Sequence, residues 1–309
     1  MICKTEFKRI LSSLFQFIVS KSIVDNYSIN EITDIVFDNN NCINRDNLKS
    51  IINNQQSNVV TKSLIERVFL VTYILEAYSK SDFDSVVSIN TKEMWKLVYN
   101  SIKGLNKDKI FASVGSQGFL SIPLYRYESI CGDVDILRLH IWDKSLNKYI
   151  DKDSISKFSI HSHTFSTQSW ILSGEIYNTR YTRCEKESTS DLNYFRINFS
   201  KSLLNKQDNN KESYLENTYI NSKLIPNIRE SYKVGETYRM DAGEFHLSQV
   251  NNNKDINATL FLFSSRKSRV DFSYVLGNKD SILPRKLNYE KFDCKYLIDK
   301  LNSKITAYE

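Results

Sequence analysis

The chain has 309 residues, of which 41% are hydrophobic, 25% charged and 12% aromatic, a balance that buries a core and excludes intrinsic disorder. Its 42 basic and 36 acidic side chains give a formal charge of +6 and are mixed along the chain, so no basic tail points to nucleic acid. No apolar run reaches the roughly twenty residues that span a bilayer. The cysteines at 3, 42, 131, 184 and 294 are odd in number and lack CxxC spacing, which argues against a disulfide framework or zinc knuckle and for buried, reduced thiols in a cytoplasmic protein.

In chain order, Lys4, Lys8 and Arg9 before an apolar stretch at 10–19 imitate a signal peptide, but Glu6 and Gln16 interrupt it and no small-residue cleavage site follows. Phe7, Ile10, Leu11, Leu14, Phe17 and Ile18 instead fall on one face of an amphipathic core helix. Ser28 with Glu31 reads as a capping box opening a helix through Ile32, Ile35 and Val36. Leu64, Val68, Leu70, Leu75 and Tyr78 mark a longer helix, and Thr91 caps another that carries Trp95, Leu97, Val98 and Ile102 and stops near Gly104. After Gly115 and Gly118 the period becomes two: Ile136, Arg138, His140 and Trp142 alternate against Leu137, Leu139 and Ile141. Further strands are predicted at 157–165, 169–173, 175–183, 194–199, 237–240, 245–250, 258–264 and 270–275. The polar segment 201–216 reads as a solvated excursion or flap, and a last helix is predicted at about 289–301. The prediction is an α+β chain: a helical region over 1–115 with no chemistry of its own, an all-β sandwich or barrel over 116–285, and a C-terminal helix within 286–309 packing on it.

Of the 4 histidines, three sit in two short segments, His161-Ser162-His163 and Gly243-Glu244-Phe245-His246. On a strand, residues two apart project from one face, so His161 and His163 can converge on a shared ion. The competing reading is three hydrogen-bonded core histidines.

The segment HSHTFSTQSWILSG resembles the first motif of the cupin family, in which HxH is followed by three or four residues, usually Glu, six residues and Gly; Gly174 falls in place. The segment GETYRMDAGEFH resembles the second, with Gly235, Gly243 and His246 matching. The resemblance covers about residues 116–285 and implies a double-stranded β-helix barrel whose mouth holds a divalent metal on His161, His163 and His246, usually with a glutamate. Thr167 stands where that glutamate would be, Gln168 would reach the metal only across a bulge, and Asp241 replaces the family's proline as a turn residue.

A neutral three-histidine set leaves the ion's charge uncompensated and favours anionic donors such as thiolate, carboxylate or enolate. Imidazoles suit several metals, so ligand type alone does not choose among Fe, Zn, Ni, Mn and Cu. Within cupins the set resembles thiol dioxygenases such as cysteine dioxygenase, although Gln168 occupies the position of their cysteine and 258–263 lacks their Ser-His-Tyr relay. The resemblance implies a non-haem Fe(II) oxidoreductase that uses dioxygen on a small anionic substrate derived from an amino acid or thiol. The alternatives are a non-redox lyase or isomerase and a non-catalytic small-molecule sensor.

Strand parity nominates Arg138, His140 and Trp142 as pocket residues, with Arg138 clamping a carboxylate or phosphate, unless this face points outward over a Leu/Leu/Ile core. Arg138, Tyr177 and Tyr238 are the catalytic candidates, and Thr167, Gln168, Ser169 and Arg180 complete the substrate-lining set. The expected partner is a small molecule, with neither nucleic acid nor a membrane; a homodimer is left open.

Overall fold

The computed structural model describes residues 1–17, 28–38, 40–54, 58–80, 89–105, 112–114, 118–149, 159–184, 191–198, 214–221, 223–251, 256–280 and 294–307. After β1 (Ile2–Cys3) come α1 (Lys4–Phe17), α2 (Ile29–Phe37), β2 (Cys42–Ile43), α3 (Arg45–Asn54), α4 (Val59–Lys80) and α5 (Thr91–Leu105). The strands that follow are β3 (Ser113–Val114), β4 (Leu120–Glu128), β5 (Val134–Trp142), β6 (Phe165–Ser173), β7 (Glu175–Cys184), β8 (Leu192–Asn198), β9 (Tyr214–Asn221), β10 (Lys223–Lys233), β11 (Thr237–Met240), β12 (Phe245–Val250), β13 (Asn257–Arg269) and β14 (Ser273–Asn278), before α6 (Lys295–Thr306). No helix among the described residues is long and apolar enough to cross a membrane.

Local chemistry sets the helix starts. Ser28 and Glu31 form the reciprocal capping box, each side chain accepting the other's backbone N–H. Asn44, Asn58 and Asn90 cap α3, α4 and α5, the last taking the Glu93 N–H at 3.1 Å, so the cap expected at Thr91 lies one residue earlier. Arg67 on α4 is fully buried, donates to Ser101 Oγ at 2.8 Å and Leu124 O at 3.0 Å, and thereby ties α4 to α5 and β4. Desolvation pushes its pKa down to about 9.

The strands make an antiparallel six-stranded sheet, β11-β6-β13-β5-β4-β3, and two three-stranded sheets, β10-β7-β12 and β14-β8-β9. Each face of the large sheet has its own partner. Leu137, Leu139, Ile141, Trp170, Leu260 and Leu262 join the helices, including Leu297, Ile298 and Leu301 of α6, in one core. Trp142, Ile171, Tyr238 and Met240 on the other face pack on Ile176, Tyr232 and Val250 of the β10-β7-β12 sheet. Each fully buried Leu, Ile or Phe contributes roughly 1.5–3 kcal/mol. The described strands therefore form mixed helix and antiparallel sheet without a closed barrel. Period-two alternation is satisfied as well by sheets packed face to face as by closure.

Several boundaries differ from the sequence prediction. The strand expected at 157–165 is an isolated bridge at His161, with β6 starting at Phe165 and 157–158 outside the described residues. Of the expected excursion at 201–216, residues 201–213 lie outside the described residues and 214–216 open β9; the final helix is described from Lys295. Cys3, Cys42 and Cys131 are exposed and Cys184 and Cys294 half-buried, correcting the expectation of buried thiols. On the β1–β2 ribbon Ile2 and Ile43 face the core, so alternation turns Cys3 and Cys42 outward.

The chain passes from β6 to β7 through Gly174, whose φ of +76° suits glycine and whose added Cβ would lie 1.9 Å from Asn257 Oδ1. That oxygen accepts the Glu175 N–H at 2.9 Å, so the turn and its neighbour exclude a side chain together. Gly174→Ala is expected to cost about 1–3 kcal/mol in chemical denaturation. Adding Asn257→Ala should fail to restore the whole loss, because the φ strain remains; full restoration would refute the backbone part.

Candidate metal centre

His161 and His246 are placed by a reciprocal pair of backbone hydrogen bonds, His161 N to His246 O at 3.1 Å and His246 N to His161 O at 2.9 Å. On its other side the same segment pairs with β14, through Ser162 N to Tyr274 O at 2.8 Å and Leu276 N to Ile160 O at 2.9 Å. The HxH segment is thus the seam between the two small sheets. Residues directly opposite in an antiparallel pair share a face, which puts the His161 and His246 rings together, with centroids 4.3 Å apart. His163 completes the triangle at 4.7 and 4.8 Å. Its carbonyl accepts the Gly243 N–H at 2.8 Å in a turn where Gly243 has φ +82°, which explains a glycine at that place in the second motif.

The ligand nitrogens of His161, His163 and His246 all lie within 4.8 Å of one another, and the group contains no carboxylate or thiol. Burial holds all three imidazoles neutral: desolvation lowers His161 to about 4 and His163 and His246 well below the ordinary 6.5. Carbonyls can only accept, so Nδ1 of His161 donates to Ser159 O at 3.0 Å and Nδ1 of His246 to Glu244 O at 3.3 Å. In a neutral ring that leaves the Nε2 lone pair for an ion. The donor set fits a divalent metal that accepts imidazole.

Beside the histidines lies the face of the large sheet turned away from the helices. Register aligns Arg138 with Phe261 and Ser169, His140 with Thr259 and Ile171, and Thr167 with Phe263. His140 is sandwiched between Phe119 and Phe261, centroids 4.2 and 4.9 Å away. His163 packs on Phe263 at 4.9 Å. The Arg138 guanidinium sits over Phe263, and its charge helps depress His163 and His140. Among the described residues, the buried His140 Nε2, Thr167 Oγ1 and Thr259 Oγ1 of this face have no hydrogen-bond partner. Each such atom costs about 1–3 kcal/mol when left unpaired, so the face is built to meet a polar ligand or water. The Tyr238 hydroxyl, buried beside Ser169, Ser248 and Asn178, is pushed up by desolvation.

The remaining sequence candidates are placed elsewhere. Trp142 belongs to the apolar cluster with Ile171 and Tyr238, beyond His140. Gln168 alternates with Thr167 and Ser169, so it faces the helices alongside Leu262, donating to Thr237 Oγ1 and Tyr238 O; without a bulge there it is not turned toward the histidines. Tyr177 points outward from β7, is 39% exposed and donates to Glu175 at 2.6 Å. Arg180 sits opposite His246 but is consumed by Glu230, Glu244 and Arg239 O, all at 2.8 Å, leaving no fork for a substrate. Sequence reasoning missed Thr259, Phe119, Phe261 and Phe263. The alternation Thr259, Phe261, Phe263 against Leu260 and Leu262 was the available signal.

No protein-family model matches the chain, and no curated protein matches its sequence. Among solved structures it is similar to hydroquinone 1,2-dioxygenase from Sphingomonas sp. TTNP3 with 4-hydroxybenzoate bound, at 7% identity over 42% of this chain and 58% of that one, TM-score 0.21. It is also similar to FeII HppE, at 11% identity over 70% and 95% of the two chains, TM-score 0.25. A third is hydroxypropylphosphonic acid epoxidase from S. wedmorenis, at 10% identity over 70% and 94%, TM-score 0.25. TM-scores this low assign neither a fold nor an activity to the chain, whose functional case is carried by the histidines themselves.

The buried neutral imidazoles make the metal-free protein acid-sensitive. Between pH 6.5 and about 4 the unfolded chain takes up protons that folded His161 refuses, so stability rises with pH through that window and levels off above it. Each such imidazole contributes up to about 1.4 kcal/mol per pH unit. With chelator present, denaturation between pH 5 and 6.5 should show a shallower slope for His161→Gln than for the parent chain; equal slopes would show that His161 is not held neutral.

Proposed function

We propose that the chain is a cytoplasmic, metal-dependent enzyme of cupin type, a non-haem Fe(II) oxidoreductase that uses dioxygen on a small anionic substrate derived from an amino acid or thiol. The observation that carries this reading is the group of three uncharged imidazoles, His161 and His246 buried and His163 half-buried, with ligand atoms within 4.8 Å of one another and no carboxylate among them. A ferrous ion bound there would supply one-electron and dioxygen chemistry at a centre whose positive charge the protein does not neutralise.

The chain's own residues then divide the work. Arg138, near His163, orients an acidic group of the substrate through its fork of donors. The neutral His140 ring, held between Phe119 and Phe261, and the Thr167 and Thr259 hydroxyls offer uncharged hydrogen-bonding positions. Phe119, Phe261 and Phe263 exclude water from the space beside the histidines, which strengthens each electrostatic contact.

Metal analysis of protein purified without added ions, followed by anaerobic Fe(II) loading and nitric oxide spectroscopy, tests the centre. His161→Ala and His246→Ala should each lower iron content at least tenfold, and unchanged content would overturn the site. Oxygen uptake across a panel of thiols and amino acids tests the reaction; metal binding without any oxygen uptake would favour the non-redox alternative. On a substrate that does turn over, Arg138→Met should raise KM roughly ten- to a hundredfold, the loss of about 1.5–3 kcal/mol for a charged hydrogen bond.

A further inference from the structure

The N-terminal ribbon carries a pair of thiols that no part of the functional reading uses. Cys3 on β1 and Cys42 on β2 are directly opposite in the antiparallel register, both are exposed, and their sulfurs lie 3.7 Å apart. The neighbouring Lys4 N–H bonds to Asn41 O at 2.8 Å, so Cys3 and Cys42 form the adjacent, non-hydrogen-bonded pair. Opposed Cα atoms of such pairs approach to about 4.5 Å, inside the roughly 4.4–6.8 Å that a disulfide spans. A modest side-chain rotation, with no register change, closes the remaining distance.

We infer that Cys3 and Cys42 are a reversible disulfide site, formed by exchange with a small-molecule disulfide such as oxidised glutathione. One thiolate attacks the oxidant's S–S bond and releases a first reduced thiol, leaving a mixed disulfide. The second thiolate attacks the protein sulfur of that mixed disulfide and expels a second reduced thiol. The chain loses two protons and two electrons, and the oxidant gains them. The bond closes the loop between residues 3 and 42, so it constrains the unfolded chain and fixes the ribbon from which α1 departs. The affected helix docks on the large sheet: Arg9 donates to the Tyr125 hydroxyl at 2.9 Å, and Ser13 donates to the Arg126 carbonyl.

The test uses the full chain in its native state with chelator present, so it does not depend on the metal reading. Incubation with oxidised glutathione should lower intact mass by two hydrogens, reduce titratable thiols from 5 to three, and yield a Cys3–Cys42 linked peptide on non-reducing digestion. The oxidised protein should melt several degrees higher, and added dithiol should reverse the shift. Cys42→Ser should abolish both the crosslink and the shift, whereas Cys131→Ser should leave both intact. Separate glutathione adducts at Cys3 and Cys42, a crosslink to any other cysteine, or no mass change would each overturn the inference.

Discussion

The reciprocal backbone hydrogen bonds between His161 and His246 hold together what the rest of the molecule arranges around them. Antiparallel pairing places the two rings on one face, and the same short segment pairs onward to β14 through Ser162. One seam therefore joins the two small sheets and assembles two thirds of the histidine cluster. A metal would add its binding energy to a seam that backbone hydrogen bonding already closes, so the geometry of the centre is set largely before an ion arrives.

That seam functions only because the large sheet is buried on both faces. Leu260 and Leu262 of β13 enter the core shared with the helices, while Thr259, Phe261 and Phe263 line up with His140, Arg138 and Thr167 on the other side. The helices thus stabilise the scaffold on one face, and the opposite face is released to carry polar groups at a desolvation cost. Among the described residues, the unpaired His140, Thr167 and Thr259 atoms are part of that cost, on the face where Arg138 also lies.

Much of this was legible in the sequence, for reasons that can be traced residue by residue. The HxH and the Gly243–His246 spacing located the three histidines that cluster, and strand parity put Arg138 and His140 on one face while leaving open which way that face points. Parity also carried its own corrections. Tyr177 and Arg180 are an odd number of residues apart and so face opposite ways, and Gln168 must oppose Thr167 and Ser169. What was missed lacked the pattern. β4 contains Pro123, which reads as a break but sits at a register shift where the lost donor is tolerated. β10 is mostly exposed, and an unburied strand has no alternation to read. α3 was missed although Asn44, whose side chain accepts the Asn47 N–H at 2.8 Å, is a local cap signal at its start.

Arg180 explains why the cluster stays free of carboxylates. Glu244 lies two residues before His246, close enough in sequence to compete for a ligand position. Its Oε1 is held by Arg180 at 2.8 Å and its Oε2 accepts the Asp241 N–H at 3.1 Å. Glu230 is held by the same guanidinium at 2.8 Å, and the two carboxylates together keep Arg180 charged despite its partial burial. Releasing Glu244 toward the histidines would abandon both contacts and leave a half-buried guanidinium with one partner fewer, a loss that opposes the attraction of an ion. The carboxylate-free character of the cluster thus rests on an ion-paired neighbour that holds Glu244 in its own contacts.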